Sequence, residues 1–169
     1  MALRNILQDG DETLGKKSRA VDDFNSRLHL LLDDMRDTLI DSNGLGLAAP
    51  QIGVLRRVFI MLDIPEVEEE NDEDREYEII ELINPEIINQ KGEVSEREAC
   101  LSIPGRAGIV KRPETLTVRA QDRFGKPFER VCKGTMARAV CHELDHLNGI
   151  LYTSVAERML TKEEIENPD

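Results

Sequence analysis

Two histidines stand four residues apart, with a glutamate directly after the first, in AVCHELDHLNG, Ala139 to Gly149. On a helix of 3.6 residues per turn, His142 and His146 lie about 40° apart and one turn along, so both imidazoles can meet one ion. Glu143 falls about 60° beyond His146, toward an apolar stripe of Met136, Val140, Leu144 and Leu147. It is placed to polarise a water at such an ion without being a ligand, the part this spacing gives its glutamate in metallohydrolases. Cys141 points about 140° from His146 by the same arithmetic. That makes it a buried small hydrophobe or a semi-exposed thiol rather than a ligand.

A site needs a third ligand, and the chain offers few. Its one other histidine, His29, lies in the LHLLL run and reads as a packed or surface residue. Cys132 comes just before the helix that bears the motif, which leaves His142 about 10 Å along the axis and a shared ion out of reach. Cys100, in SEREACLSIPG, is the remaining good candidate. It follows a strand and precedes Ile103-Pro104-Gly105, where the backbone turns and can present a thiolate inward.

The elements that must position these residues follow from periodicity. Phe24, Leu28, Leu31, Met35 and Leu39 recur at three- and four-residue steps after Asp22 and Asp23, which can cap a helix start, and the pattern stops before Asn43-Gly44. Val58 to Leu62, VFIML, reads as a buried strand. Tyr77 to Ile83 and the segment after Pro85 have strand character, and TLTVRA from Thr115 turns through Phe124-Gly125-Lys126-Pro127 into FERVC as a hairpin. Thr135 offers a side-chain oxygen to cap the motif helix, which runs to about Asn148 with Gly149 as its stop. Helix, strands, helix is the order of an α+β fold, and 169 residues suit a single domain spanning 1–169.

The chain carries 34 acids against 22 bases, a net charge of −12. Glu66 to Glu76 holds eight acids and one arginine, so seven of the twelve excess negative charges fall in one expected solvated loop. No basic cluster supplies affinity for phosphate, so direct nucleic-acid binding is not expected. No apolar run is long enough to span a bilayer. The N-terminus lacks the apolar core of a secretory signal and three cysteines cannot all pair, so a reducing cytoplasm is expected, with no membrane partner. The acidic tail, residues 161–169, is expected to fray.

Three segments, GLGLAAPQ (Gly44 to Gln51), EACLS (Glu98 to Ser102) and HELDH (His142 to His146), resemble in identity, order and spacing the peptide deformylases. The similarity extends from ALRNI through LINPEI, CLSIPG and RFGKPFE to HLNGILY, nearly the whole chain. Members of that family are metal-dependent hydrolases that remove the N-formyl group from the initiator methionine of nascent bacterial polypeptides. The resemblance implies mixed or antiparallel sheets packed around a central metal-bearing helix. It places the metal ligands on Cys100, His142 and His146, the general base and acid on Glu143, and the oxyanion donors on Gln51 and the Leu101 backbone N–H.

On the same resemblance, Gly44 and Gly46 let an extended peptide approach and pair like an added strand. The methionine side chain needs an apolar pocket, and the motif-flanking Leu45, Ala139, the stem of Arg138 and Glu98 at the edge are expected to line it. Ligand types alone point to zinc, whereas the family typically holds Fe²⁺ in the cell, with nickel, cobalt or zinc substituting. Oxidation of a ferrous ion or of the Cys100 thiolate is then an expected route of inactivation.

The expected partners are formyl-Met N-termini, with ribosome association at most transient, because the tail after Leu160 is short beside members that dock through a long basic helix. A monomer is expected. Two departures from the family pattern stand beside the ligands: Ala99 replaces a usual glycine, and Cys141 a common glutamine. The competing readings are a small metallo-aminopeptidase and a non-catalytic zinc module closed by a fourth ligand.

Overall fold

Leu28, Leu31, Leu32, Met35 and Leu39 wind onto the buried face of α1 (Ser26–Ser42). In this computed structural model, which describes residues 2–65 and 76–167, the helix starts at Asn25. The Asn25 side-chain oxygen accepts the N–H groups of Arg27 and Leu28 at 3.1 and 3.2 Å. The expected caps Asp22 and Asp23 stay outside, and Phe24 precedes the helix. The reason lies just upstream, where Val21 exchanges two 2.8 Å hydrogen bonds with the Asn84 side-chain amide and holds the chain extended. Asn43 ends the helix in the left-handed conformation, φ 57°, as the Asn-Gly pair predicts.

Five antiparallel strands form the larger sheet: β1 (Gly46–Ala48), β2 (Val58–Leu62), β3 (Ile79–Lys91), β6 (Thr115–Gln121) and β7 (Pro127–Lys133), in the spatial order β1-β2-β3-β6-β7. The continuous apolar run of β2 has a simple cause. Val58 and Ile60 pack with α1, while Phe59 and Met61 pack with α2 (Thr135–Leu147) on the opposite face. The two strand segments expected around Pro85 are one strand. Pro85 offers no N–H to the ladder, and the register shift between Ile83 and Glu86, with Asn84 at φ 52°, absorbs it.

A smaller antiparallel sheet, β4-β5-β8, pairs β4 (Val94–Cys100) with β5 (Ile103–Arg112), and β5 with β8 (Arg158–Met159). Every ladder between these strands is antiparallel, and the single parallel pairing among the described residues is an isolated Arg19–Arg56 bridge. The fold is the α+β arrangement that the order of elements predicts.

Helix α2 lies between the two sheets. It buries Met136, Ala137, Val140, Cys141 and Leu147 against Phe59, Leu82, Leu116 and Val118. Its cap differs from expectation, because Thr135 is the first helical residue and Gly134 precedes it at φ 56° and ψ −124° with no side-chain cap. Only glycine adopts that backbone conformation readily. Gly149 follows the helix at φ 73°, where a Cβ would stand 2.6 Å from the carbonyl carbon of Gly15.

Beyond Leu160, Thr161 and Glu164 form a reciprocal capping box that opens α3 (Lys162–Glu166), in the segment expected to fray. Residues 66–75 of the acidic loop lie outside the described residues. Among those described, no helix is long and apolar enough to cross a membrane.

Candidate metal centre

Because one side of α2 is committed to the sheet, its other side turns His142, Glu143 and His146 toward the β4–β5 hairpin, all three buried. Cys100, the last residue of β4, meets them there. Its Sγ lies 3.3 Å from His146 Nε2, and the three donor atoms of Cys100, His142 and His146 lie within 4.8 Å of one another. A tetrahedral ion bonded to nitrogen at about 2.0–2.1 Å and to sulfur at about 2.3 Å separates its donors by about 3.3–3.6 Å. The residues present therefore fit a metal, and among the described residues the group contains no fourth protein donor.

Protonation preferences agree. Burial works against a charge on His142, but hydrogen bonding to Cys100 and Glu98 outweighs it and lifts the ring to about 10. Burial, reinforced by the charge on His142, pushes His146 down to about 3. The surroundings of His142 thus favour positive charge at this place, which a metal ion can supply in place of a proton.

His142 is oriented from behind. Its Nδ1 lies 2.7 Å from Glu98 Oε2, which assigns the Nδ1–H tautomer and frees Nε2 to face Cys100. The Glu98 carboxylate is itself clamped by Arg112, at 3.1 Å from Nε to Oε1 and 2.7 Å from Nη2 to Oε2. Burial alone would raise Glu98, but the bonds to His142 and Arg112 prevail and hold it down at about 2. Arg112 also donates to Asp145 Oδ2 at 2.7 Å, closing a bridge back to α2 between the two histidines. Arg138 donates to Glu98 Oε1 at 3.1 Å and to the carbonyls of Val110 and Val94 at 2.8 and 2.9 Å. Its head ties β4 to β5, and its stem is left to line the cleft.

Gln51 reaches the centre from the short 3₁₀ turn after β1 (Ala49–Ile52). The Ala48 N–H donates to its Oε1 at 2.9 Å, which aims Nε2 at Ser102 Oγ, 3.1 Å away, and at Cys100 Sγ, 3.7 Å away. Burial pushes the Glu143 carboxyl up to about 7, and its buried Oε2 has no hydrogen-bond partner. Gly46 makes room for this carboxylate, since a Cβ there would stand 3.1 Å from Glu143 Cγ and Oε1. A Cβ at Gly44 would stand 2.7 Å from Leu101 Cδ1, so that glycine lets the Leu101 turn close over the loop.

A cleft of about 410 Å³ opens above these groups, with Gly44, Leu45 and Gly46 on one wall, Glu96, Arg97 and Ala99 on another, and Thr135, Arg138 and Ala139 on a third. Every residue expected at the site borders it except His146, which lies beneath, bonded to Cys100. Ala99 needs no glycine conformation, because Asn43 and Asn84 are the non-glycine residues at positive φ among those described. Cys141 is buried on the sheet side, where burial lifts its thiol to about 11. His29 lies elsewhere, with Nε2 2.8 Å from the Arg123 carbonyl, and Cys132 is in the core.

Four residues had no role on the sequence alone. Arg112 and Asp145 are charged residues outside the three matched ligand positions, and nothing in their neighbours' sequence marks them as paired. Ser102 falls inside a matched segment but without an assigned part. Tyr152 stacks on the His142 ring at 6.1 Å and is buried, with its hydroxyl unpartnered. The only signal for it was its place in HLNGILY.

Comparison with known proteins gives one answer. A family model described as polypeptide deformylase matches residues 3–162. The peptide deformylase of Caldicellulosiruptor bescii is 49% identical over 166 residues, covering 98% of this chain and 93% of that one. That of Alkaliphilus metalliredigens is 49% identical over 153 residues, covering 90% and 96%. Among solved structures, a peptide deformylase from Legionella pneumophila superposes with a TM-score of 0.81 at 41% identity, over 92% of this chain and 86% of that one. One from Synechococcus elongatus, in complex with actinonin, gives 0.80 at 30% identity over 96% and 82%.

Proposed function

The chain belongs to the peptide deformylase family, metal-dependent hydrolases that remove the N-formyl group from nascent polypeptides, and from that premise we propose how its own residues do so. The observation that carries the reading is a single cleft in which the Cys100, His142 and His146 donors converge beside the unpartnered Glu143 carboxylate and the Gln51 amide.

When bound, the metal polarises the formyl carbonyl and lowers the pKa of water toward neutrality. Cys100, His142 and His146 hold it. Glu143, with its affinity for a proton raised by burial, takes one from the attacking water and delivers it to the departing amine nitrogen. The Gln51 Nε2–H and the Leu101 backbone N–H stabilise the oxygen of the tetrahedral intermediate. The peptide extends between β1 and β4, the end strands of their two sheets, pairing as an added strand. Its methionine side chain enters between Leu45, Ala139 and the stem of Arg138, with Glu98 at the edge and Gly44 and Gly46 allowing close approach.

Ferrous iron in the cell, with zinc, nickel or cobalt able to replace it, is the cofactor that the family resemblance supports. One catalytic domain over 1–169, a monomer working in the cytoplasm and touching the ribosome only transiently, completes the reading. Actinonin, present in the Synechococcus elongatus relative, is expected to bind the same cleft. An aminopeptidase would not need Cys100, and a closed zinc module would leave Gln51 and Glu143 without a part.

The test is formate release from formyl-Met peptides by anaerobically purified protein, beside unformylated and acetylated controls. Glu143→Gln is expected to lower kcat about 10²–10⁴-fold with metal retained, and Cys100→Ala to lose the metal. Retention of both activity and metal in Cys100→Ala would sink the ligand assignment. Peptide cleavage without formate would point to the aminopeptidase instead.

A further inference from the structure

An amide that is to stabilise an oxyanion must present one N–H at a fixed place, yet the terminal torsion of a glutamine is broad and leaves its head free to turn. Gln51 is held at both ends of that head. Its Oε1 accepts the Ala48 N–H at 2.9 Å, and one hydrogen of Nε2 goes to Ser102 Oγ at 3.1 Å. The second hydrogen is left facing Cys100 Sγ at 3.7 Å, at the floor of the cleft. Ser102 has no exposed surface and Gln51 has 1%, so no solvent competes for these bonds.

The serine is also fixed relative to the glutamine. The N–H groups of Leu7 and Asp9, two residues apart on one N-terminal segment, donate to the carbonyls of Gln51 and Ser102 at 2.7 and 2.9 Å. One strap therefore sets the spacing of the two backbones that carry the pair.

We propose that Ser102 is a positioning residue: its hydroxyl engages one Gln51 N–H so that the other is aimed at the site where the oxyanion forms. This rests on the reading of Gln51 as the oxyanion donor. Without the hydroxyl, a buried N–H loses its acceptor and the head keeps the Ala48 bond and the long contact to Cys100 Sγ. The remaining donor is then misaimed for part of the time, while the metal ligands and the peptide wall are unchanged. The loss falls on kcat rather than on KM.

A mutant cycle on the metal-loaded enzyme separates this from a merely structural role. Ser102→Ala is expected to lower kcat about 5–20-fold, the equivalent of one buried hydrogen bond, with KM within about twofold and metal content unchanged. Gln51→Ala is expected to lower kcat about 10²–10³-fold, and the double variant is expected to be no slower than Gln51→Ala alone. In cobalt-loaded protein, the thiolate-to-metal absorption band should shift in the same direction in Ser102→Ala as in Gln51→Ala, because both disturb the N–H facing Cys100. Ser102→Gly, which also lacks the hydroxyl and cannot crowd its neighbours, should repeat the pattern.

An unchanged kcat in Ser102→Ala, or an equal fold-loss from that substitution in both backgrounds, would overturn the positioning role and leave the deformylase reading standing. An unchanged kcat in Gln51→Ala would instead remove the oxyanion assignment beneath it.

Discussion

The two sides of α2 are held by opposite means. Toward the five-stranded sheet, Met136, Ala137, Val140 and Leu147 meet Phe59, Leu82, Leu116 and Val118 with no ionised group among them. Toward the three-stranded sheet, His142 and Asp145 meet Glu98 and Arg112 in a buried bridge whose carboxylate–guanidinium contact is 2.7 Å. Apolar burial is non-directional and tolerates small shifts, whereas a bidentate arginine clamp fixes an angle. The helix is thus stabilised on its sheet side and aimed on its site side. That division suits a centre in which His142 must present one particular nitrogen.

Arg112→Ala should break the second side most severely. It takes the bidentate partner from Glu98, which keeps His142 and Arg138, and the ion pair from Asp145, so a loss of about 3 kcal/mol is expected in denaturant unfolding of the metal-free protein. Metal affinity, read by chelator competition, should fall about 10–100-fold as His142 loses its orientation. Combining Glu98→Gln with Arg112→Met sharpens the comparison, since the buried Glu98–Arg112 pair is removed as a unit, leaving the partly exposed Asp145 to water and Arg138 to its two carbonyl acceptors. Stability should largely return in that double variant while metal affinity stays low. If the two recover together, the bridge acts only through folding, and the contrast between the two sides fails.

Leu116→Ala probes the first side. Leu116 is 1% exposed beneath α2, and its truncation should cost about 2–4 kcal/mol through lost burial and a residual cavity. Metal affinity per folded molecule should remain within about threefold. A large loss of affinity at unchanged fold would show that aim, too, depends on the apolar side.

The same contrast governs what could be read before the structure. The apolar side is legible because its pattern is local: the continuous run VFIML and the periodic α2 stripe announce their partners' chemistry by composition alone. The geometry of His142, Glu143 and His146 was legible because it is local to one helix. Cys100 joins them from 46 residues away in sequence to His146, and Cys100 was a ligand candidate only by elimination and resemblance. Nothing local separates the buried Arg112 from a solvated one, since its burial is decided by Asp145, 33 residues on, and Glu98, 14 residues back. The start of α1 is hidden from its local sequence for a related reason. Asp22, Asp23 and Asn25 are all competent, and the Val21–Asn84 pair selects among them from 63 residues away.

A buried carboxylate on the far side of the larger sheet, away from the cleft, gives the mildest test. Asp34, 3% exposed on α1, accepts the Ala2 N–H at 2.8 Å and Arg4 Nε at 2.9 Å, and so ties the N-terminal segment to the helix. Burial alone would raise its pKa, but the Arg4 and Ala2 hydrogen bonds outweigh it and set the group below the ordinary 3.8. A carboxyl held below its unfolded value contributes stability above that value and loses it as pH falls through the folded one. Asp34→Asn should therefore cost about 1 kcal/mol at neutral pH, and the gap from wild type should narrow as pH drops below about 4. Acid titration of thermal stability measures this directly. Unlike the Glu98 bridge, Asp34 touches nothing in the cleft, so kcat and metal affinity should not move. A gap that widens toward low pH would mean that Asp34 is buried protonated, and that the α1 side, too, holds its polar groups by shape rather than by charge.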